Sequence, residues 1–478
     1  MMKESIYNFH INDRGNNIYI IYNALKNTLI QDDECRIQKF IMQCNGDILF
    51  NSDYISEDDF NDLISSGIIV SDETDEKQIA IEVNKKRLEK LYKQNDSLSL
   101  VITPTLQCNF KCYYCFESTN TRKNEDAISM EVQNDIINFI SKSITTNNIK
   151  ELNITWYGGE PLMQQQIIFA LQEQINTICK LHDVKSHAFI FTNGVLLTPE
   201  VSELLYEHGI RKAQVTLDGQ ENIHNKRRFY PVDPTNNYKI ILDNILNSNE
   251  NIRFLIRINI DKSNKDLVFH LIDDLINRKI WPYKKNVTIY MGHVISTDKK
   301  VELSYQEFAE FEDSIRYYLM NKYNEITKTK EAKLKFHYPT YGGDLKCGYG
   351  IFRDAWVVSY NGELFRCLQS VGIKDHVVGT VKDLLKDFGQ SIFEKIKIDN
   401  YTFERWGCFE CKYFPICASR CPWDYLNSSN NERRCTKWKY LLEYRLIHQY
   451  KQFLTNPEIF RNVPFKVENR ELIKSKSL

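Results

Sequence analysis

The chain has 478 residues, and its 62 Lys and Arg residues nearly balance its 63 Asp and Glu residues, so its formal net charge is −1. A near-neutral protein has no strong field to attract nucleic acid or an anionic membrane, and neither is expected as a partner. The sequence contains no apolar signal core at the N-terminus and no run of about 18 apolar residues, so a cytoplasmic protein is expected.

Residues 1–95 have the pattern of a small separate domain. The stretch IYIIYNALKNTLIQ predicts a hairpin whose turn lies at residues 23–27. Ser56 is an N-cap candidate for a short helix, which is followed by an apolar strand at 68–70. Strands and short helices in this order predict a winged-helix-like module, and a charged helix at 84–96 is expected to link it to the rest of the chain.

Residues 96–300 alternate between strand and helix patterns, which predicts an α/β fold with a parallel sheet, either doubly wound or an incomplete barrel. The active site of such a fold lies beyond the carboxyl ends of the strands. A bridging region is expected at 301–345, a cysteine-rich domain at 346–440 and a helical tail at 441–478. The six candidate strands are 98–103, 152–157, 188–192, 213–217, 254–260 and 287–291.

Ten of the 13 cysteines fall into two ordered sets. The first is a C-x3-C-x2-C triplet directly after the first candidate strand. The second set has seven members near the C-terminus. The triplet is Cys108, Cys112 and Cys115, and the second set is Cys347, Cys367, Cys408, Cys411, Cys417, Cys421 and Cys435. Thiolates at such short intervals bind soft metals, and three of them can hold three irons of a 4Fe-4S cluster while the fourth iron stays open.

Disulfide bonds and structural zinc are two other possible uses of these cysteines. A disulfide framework requires export from the reducing cytoplasm, and no export signal is present. Structural zinc would fit the pair Cys408 and Cys411. The triplet, however, supplies only three thiolates, with no nearby His or fourth Cys to complete a tetrahedral site. Iron–sulfur chemistry is therefore favoured over both.

The triplet after the first strand resembles that of the radical S-adenosylmethionine (SAM) superfamily. Gly158-Gly159-Glu160-Pro161 follows the second candidate strand, as the glycine-rich motif of that family does. The resemblance implies a partial (β/α)6 barrel in which the open iron binds the methionine part of SAM. It also implies an enzyme that takes an electron from a low-potential donor such as flavodoxin or ferredoxin. Reductive cleavage of SAM then gives a 5′-deoxyadenosyl radical that abstracts hydrogen from a substrate.

The same resemblance implies further contacts to SAM. They are Tyr114 to the adenine, Asn193 in a TNG turn, Thr216 to the ribose and Arg228 to the carboxylate. Thr216 stands where many members have Ser, so a hydroxyl is kept. Asp218 and Arg257 also lie at strand ends, where each is either a site residue or a member of a structural ion pair.

The second cysteine set, together with Gly362, resembles the SPASM domain, which carries auxiliary 4Fe-4S clusters in peptide and protein maturases. The resemblance implies an outer cluster held by Cys408, Cys411, Cys417 and Cys435. It implies an inner cluster held by Cys347, Cys367 and Cys421. Three 4Fe-4S clusters are thus expected, and the inner auxiliary cluster is one thiolate short. We expect an open iron there, which would bind a substrate thiolate or water.

These features together predict a maturase of a ribosomally made precursor peptide. Its N-terminal module would bind the leader sequence as an added β-strand. The product would be an intramolecular crosslink, either a thioether or a carbon–carbon bond. The alternative is formylglycine formation from Cys or Ser in a protein substrate, as in anaerobic sulfatase maturases. A non-catalytic electron carrier is disfavoured because the glycine-rich motif accompanies the open-iron triplet.

Overall fold

The computed structural model divides into two compact units, one built from residues of 1–92 and 403–455, the other from residues of 93–328 and 352–397. No helix within this part of the chain is long and apolar enough to cross a bilayer. The structure describes residues 1–13, 15, 18–32, 35–44, 46–93, 96–115, 127–294, 301–328, 352–397, 403–404, 406–417 and 438–455.

The N-terminal part of the first unit combines two small antiparallel sheets with three helices. Its elements are β1 (Met2–Glu4), β2 (Asn8–Asp13), β3 (Ile18–Asn23), β4 (Thr28–Gln31), α1 (Arg36–Gln43), α2 (Glu57–Ser65), β5 (Ile69–Ser71) and α3 (Glu76–Tyr92). Strands β2, β3 and β4 form one sheet, and β1 pairs with β5 in the other. The predicted hairpin is confirmed as β3 and β4. Ser56 caps α2 as predicted, because its side chain accepts a hydrogen bond from the amide of Asp59 at 3.1 Å.

The linking helix begins earlier than predicted. Helix α3 starts at Glu76, eight residues before the expected start at 84. The carboxylate of Glu76 is buried, and it accepts hydrogen bonds from the Ser5 hydroxyl at 2.5 Å and from the Ile6 amide at 3.0 Å. The first turns of α3 are therefore fixed by tertiary contacts to the N-terminal strands, which local sequence does not reveal.

The second unit is built on one nine-stranded sheet. Its strands are β6 (Ser97–Ile102), β8 (Glu151–Trp156), β9 (Lys185–Thr192), β10 (Ile210–Thr216), β12 (Arg253–Ile260), β13 (Val287–His293), β14 (Ala355–Val358), β15 (Glu363–Phe365) and β16 (Gly379–Thr380). A separate two-stranded ladder joins β7 (Lys111–Cys112) to β11 (Arg228–Phe229). The helices are α4 (Met130–Asn147), α5 (Gln165–Leu181), α6 (Pro199–Glu207), α7 (Glu221–Arg227), α8 (Asn237–Asn247), α9 (Val268–Asn277), α10 (Tyr305–Thr327), α11 (Val381–Asp387) and α12 (Gln390–Ile396).

The strand order distinguishes the two architectures that the pattern left open. Strands β6, β8, β9, β10, β12 and β13 are parallel and lie side by side in chain order, with no reversal. A doubly wound sheet reverses its strand order at a switch point, whereas a barrel does not. The six strands thus have the order of a partial barrel. On the other side of β6 the sheet is extended by β14, which is parallel to it, and by the antiparallel β15 and β16.

The core of this unit lies between the sheet and its helices. Helix α5 buries Ile168, Leu171 and Ile175 completely, at the i, i+3 and i+7 spacing that the sequence shows. These side chains belong to the same apolar cluster as Ile154 and Ile190, which lie on neighbouring strands. This packing fixes the strand ends from which the site is built.

The C-terminal part of the first unit consists of residues 403–417 and helix α13 (Trp438–Thr455). It shares an apolar core with β2 and β3, in which Tyr22 and Trp438 are almost fully buried. The rings of Phe9 and Tyr413 lie 4.8 Å apart. The boundaries predicted from the sequence assign these segments to three domains, whereas they pack as one compact unit. That the N-terminal part is winged-helix-like and binds a leader stays a prediction.

Candidate active site

A cavity of about 490 Å³ opens beyond the carboxyl ends of the parallel strands. Nine of the residues expected at the site line it, namely Cys108, Cys112, Tyr114, Cys115, Gly158, Gly159, Asn193, Thr216 and Arg228. Glu160 and Pro161 lie behind the wall and are buried. Among the described residues, the wall contains the guanidinium groups of Arg228 and Arg257 but no carboxylate.

The auxiliary-cluster cysteines are described only in part. Cys347, Cys421 and Cys435 lie outside the described residues. Cys408, Cys411 and Cys417 lie in the first unit on consecutive tight turns, in which the Cys411 amide donates to the Cys408 carbonyl at 3.0 Å. Cys367 lies in the second unit. It directly precedes Leu368 and Gln369, which line the cavity.

The triplet cysteines are held by a short ladder to the strand that carries Arg228. Cys112 in β7 pairs with Arg228 in β11. The Cys115 amide donates to the Cys112 carbonyl at 3.2 Å, and the Phe110 amide donates to the Cys108 sulfur at 3.4 Å. Across the described ranges, no three Cys, His or carboxylate groups are close enough to hold a single metal ion. A cubane cluster instead takes one thiolate on each of three irons, so three thiols on one cavity fit a 4Fe-4S cluster.

The paired glycines allow the cysteine loop to approach closely. Gly158 has φ +132°, and a Cβ there would lie 2.3 Å from the Thr105 carbonyl oxygen. A Cβ on Gly159 would lie 2.2 Å from the carbonyl oxygen of Gln107. That carbonyl accepts a hydrogen bond from the Glu160 amide at 2.7 Å. The glycine-rich motif therefore lines the cavity and also packs closely against the backbone that precedes Cys108.

The Glu160 carboxylate ties the ends of β8 and β9 together. It accepts hydrogen bonds from the Thr192 hydroxyl at 2.8 Å, the Asn193 amide at 2.7 Å and the Leu162 amide at 3.0 Å. Burial raises the pKa of Glu160 to about 7, although these donors act in the opposite direction. The Asn193 side chain in turn donates to Asn109 Oδ1 at 2.6 Å, which links the TNG turn to the cysteine loop.

Tyr114 and Arg228 form a polar junction at the cavity wall. The Tyr114 hydroxyl donates to Asp218 Oδ2 at 2.6 Å and accepts from Arg228 Nη1 at 2.9 Å and Asn259 Nδ2 at 3.1 Å. Burial raises the pKa of Tyr114 well above its ordinary value. Among the described residues, the buried Nε of Arg228 has no hydrogen-bond partner. An unsatisfied guanidinium donor on a residue of the cavity wall fits an anionic ligand group such as the SAM carboxylate.

Asp218 and Arg257, which the sequence left open, have different roles. Asp218 is fully buried and pairs with Arg227, whose Nε lies 3.4 Å from Asp218 Oδ2. Arg257 lines the cavity, and its Nε donates to Asn259 Oδ1 at 2.7 Å. Asp218 is thus an ion-pair member, whereas Arg257 is a cavity residue.

A buried network around Arg227 was missed from the sequence. Arg227 Nη1 lies 2.9 Å from Asp261 Oδ2 and donates to the Tyr113 hydroxyl at 2.8 Å and to Ser263 Oγ at 2.6 Å. Burial and the hydrogen bond to Asp261 raise the pKa of Tyr113 to about 12. The available signals were two tyrosines between Cys112 and Cys115 and an arginine next to Arg228.

The chain is similar to known proteins in sequence and in fold. Residues 102–297 match the radical SAM superfamily. The radical SAM cyclopropyl synthase TigE of Paramaledivibacter caminithermalis is 26% identical over 256 residues, which are 48% of this chain and 50% of TigE. The sporulation killing factor maturation protein SkfB of Bacillus subtilis is 21% identical over 216 residues, which are 45% of this chain and 48% of SkfB. The chain thus spans about half the length of these curated relatives.

A solved structure shows the same fold. The structure of anSMEcpe with bound AdoMet and Cp18Cys peptide superposes with a TM-score of 0.54 at 16% sequence identity, covering 75% of this chain and 98% of that chain. The α/β partial barrel expected from the resemblance is confirmed. Over residues 102–297 the chain is thus similar to radical SAM enzymes, and it resembles maturases of ribosomally made peptides.

Proposed function

We propose that this enzyme is a peptide maturase that installs an intramolecular crosslink in a precursor peptide, as either a thioether or a carbon–carbon bond. The observation that carries the proposal is one cavity that joins three cysteine thiols to Gly158, Gly159 and Arg228 at the strand ends. When bound, the 4Fe-4S cluster and SAM would supply the 5′-deoxyadenosyl radical that abstracts hydrogen. A low-potential flavodoxin or ferredoxin would supply the electron.

The residues of the wall would bind and orient SAM. Cys108, Cys112 and Cys115 would hold the cluster. Arg228, which lines the cavity, would pair with the SAM carboxylate through its guanidinium group. The Tyr114 hydroxyl is already engaged by Asp218, so Tyr114 would meet the adenine through its ring. Thr216 would contact the ribose and Asn193 the methionine end of the cavity, as the resemblance implies.

Two auxiliary 4Fe-4S clusters are part of the proposal. Cys408, Cys411 and Cys417 would hold the outer cluster together with Cys435, and Cys367 would hold the inner one together with Cys347 and Cys421. Cys367 directly precedes Leu368 and Gln369, two residues of the cavity wall. The open iron of the inner cluster would bind a substrate thiolate or water.

Cluster content can be measured directly. Three 4Fe-4S clusters correspond to about 12 irons per chain. Replacement of Cys408, Cys411 and Cys417 by Ala should lower that number by about four. An unchanged iron count in this variant would contradict the outer cluster. If added cysteine perturbs the Mössbauer spectrum of the auxiliary clusters, the inner cluster has an open iron.

The leader peptide would bind to a groove of about 400 Å³ in the N-terminal part of the first unit. Its wall includes β5, Leu25 and two exposed residues, Ile64 on α2 and Ile79 on α3. Strand β5 pairs with β1 on one side, and no strand in the described part of the chain covers its other edge. An extended peptide can add to such an edge through main-chain hydrogen bonds while its apolar side chains enter the groove.

The function is tested with the anaerobically reconstituted, reduced protein, SAM and a precursor peptide encoded beside its gene. Formation of 5′-deoxyadenosine together with loss of two hydrogen atoms from the peptide, without a new aldehyde group, would support the crosslink. Conversion of a Cys or Ser to formylglycine would support the sulfatase-maturase alternative instead. Absence of 5′-deoxyadenosine in a fully loaded protein would contradict both, and Cys112→Ala serves as the inactive control.

A further inference from the structure

The segment between the second and third triplet cysteines holds two consecutive tyrosines whose hydroxyls reach two different buried carboxylates. One arginine, Arg227, contacts both carboxylates. We propose that Arg227 is a positioning residue. Through Tyr113, Asp218 and Asp261 it fixes the loop that carries the triplet cysteines, residues 108–115 (the cluster loop), and thereby sets how strongly SAM is held at the cluster. The inference concerns SAM binding and cleavage, so it goes beyond the peptide chemistry and does not depend on it.

Tyr113 forms the first arm of the network. Its hydroxyl donates to the carboxylate of Asp261 and accepts from Arg227 Nη1 at 2.8 Å. Its amide donates to the Arg227 carbonyl at 3.3 Å. The Arg227 Cζ also lies 5.0 Å from the centre of the Tyr113 ring, within cation–π range. Both the backbone and the side chain of Tyr113 are therefore tied to Arg227.

Tyr114 forms the second arm. Asp218 Oδ2 accepts from the Tyr114 hydroxyl at 2.6 Å and lies 3.4 Å from Arg227 Nε. The Arg227 Cζ is 5.5 Å from the centre of the Tyr114 ring. Because one guanidinium presents donors in a rigid fork, its contacts to Asp218 and Asp261 fix the two tyrosines relative to each other.

The network connects the cluster ligands to the barrel. Cys112 pairs in the β7–β11 ladder with Arg228, the residue after Arg227. Asp261 follows β12 directly and lies two residues beyond Asn259, which lines the cavity. Arg227 itself does not line the cavity, so it acts through other residues. A displacement of about 1 Å at a reacting centre can lower a rate about 100-fold, so this anchoring is expected to affect SAM cleavage.

The test uses the full-length protein loaded with its clusters and compares Tyr113→Phe, Asp261→Asn and the double variant. The matched control is Tyr318→Phe, which removes a hydroxyl that donates to Asp273 Oδ1 at 2.5 Å on residues that do not line the cavity. The readouts are iron per chain, the electron paramagnetic resonance signal of the reduced cluster before and after SAM addition, and the KM for SAM in peptide-free formation of 5′-deoxyadenosine.

We expect full iron content, a KM for SAM raised about tenfold in each single variant, and a diminished spectral response to SAM. The KM for SAM of the double variant should not exceed that of the more impaired single variant, because both substitutions break the same hydrogen-bond network. Tyr318→Phe should behave as wild type. The proposal is overturned if Tyr113→Phe keeps the wild-type KM and spectral response, or if activity falls only in proportion to lost iron. Failure to modify any peptide would contradict the proposed function and leave these readouts unaffected.

Discussion

Replacement of Gly159 by Ala tests the close approach between the glycine-rich motif and the cysteine loop. An added Cβ would lie 2.2 Å from the Gln107 carbonyl oxygen and 2.5 Å from that of Leu106. Real Cβ atoms essentially never come within 3.0 Å of such neighbours. The two backbones must therefore separate by at least 3.0 − 2.2 = 0.8 Å. This separation strains the hydrogen bond from the Glu160 amide to the same Gln107 carbonyl, now 2.7 Å long.

The displaced backbone is the segment that leads into Cys108. Because a shift of about 1 Å can reduce catalysis about 100-fold, we expect Gly159→Ala to lower kcat/KM for SAM cleavage by about that factor, or about 2.7 kcal/mol of transition-state stabilisation. The measurement is 5′-deoxyadenosine formation at saturating reductant, normalised to the iron in each preparation.

A matched control adds the same methyl group to a glycine where it meets no close neighbour. Gly15→Ala adds the same methyl group where the nearest heavy atom would be 3.6 Å away, an ordinary contact. It should retain wild-type SAM cleavage. If Gly159→Ala also cleaves SAM at the wild-type rate with normal iron content, the close approach does not position the cluster loop and the reasoning is refuted.

Two further predictions concern pH and the leader. Burial raises the pKa of Glu160 from its ordinary 4.5 to about 7, so the folded state favours the protonated carboxyl. Its stabilising contribution is therefore fully present below pH 4.5 and lost as the pH rises through 7. Glu160→Gln should remove about 2 to 3 kcal/mol of pH dependence from the free energy of unfolding between about pH 5 and 8, and parallel curves for the two proteins would contradict this. In the leader groove, Ile79→Asp should weaken binding of a labelled precursor peptide about tenfold by placing a charge on the apolar wall, whereas Leu181→Asp on α5 should not change it. Equal affinities measured by fluorescence anisotropy would exclude this groove as the leader site.

Much of the barrel could be predicted because its signals are local. Each of the six parallel strands is a short apolar run followed by an amphipathic helix, and the structure has all six within three residues of the expected bounds. Strands β14, β15 and β16 were not predicted. They contain only two to four residues each, and their pairing through β14 to β6 depends on residues more than 250 positions away. Such strands are defined by their partners rather than by their own periodicity.

The same distinction applies to the site. The cysteine triplet and the glycine-rich motif are contiguous in sequence, so their chemistry and spacing could be read directly. The network of Arg227 joins Tyr113 to Asp261 across 148 positions. In the sequence, Arg227 and Asp261 look like isolated surface charges, and only the fold brings them together in a buried position. Sequence spacing likewise could not show that the paired glycines face the cysteine loop.

The adjacent arginines show how this fold separates ligand binding from anchoring. Helix α7 ends at Arg227 and strand β11 begins at Arg228, so the two side chains leave the backbone in different directions. Arg227 is buried against two carboxylates, whereas Arg228 lines the cavity with its Nε unsatisfied among the described residues. Lysine retains the charge but loses the planar fork, so the same substitution should have different consequences at the two positions.

Arg228→Lys is expected to raise the KM for SAM about tenfold while the free energy of unfolding stays close to that of wild type, because Arg228 lines the cavity and lysine loses the planar fork that pairs with a carboxylate. Arg227→Lys is expected to lower the free energy of unfolding by about 2 kcal/mol, because two buried carboxylates, Asp218 and Asp261, then share one point charge. Because Arg227 also positions the cluster loop, the KM for SAM should rise in both variants, and urea denaturation separates them. If Arg228→Lys destabilises the fold as much as Arg227→Lys and leaves the KM unchanged, Arg228 is a second structural arginine, and the SAM carboxylate must be bound by another cation of the cavity wall, for which Arg257 is available.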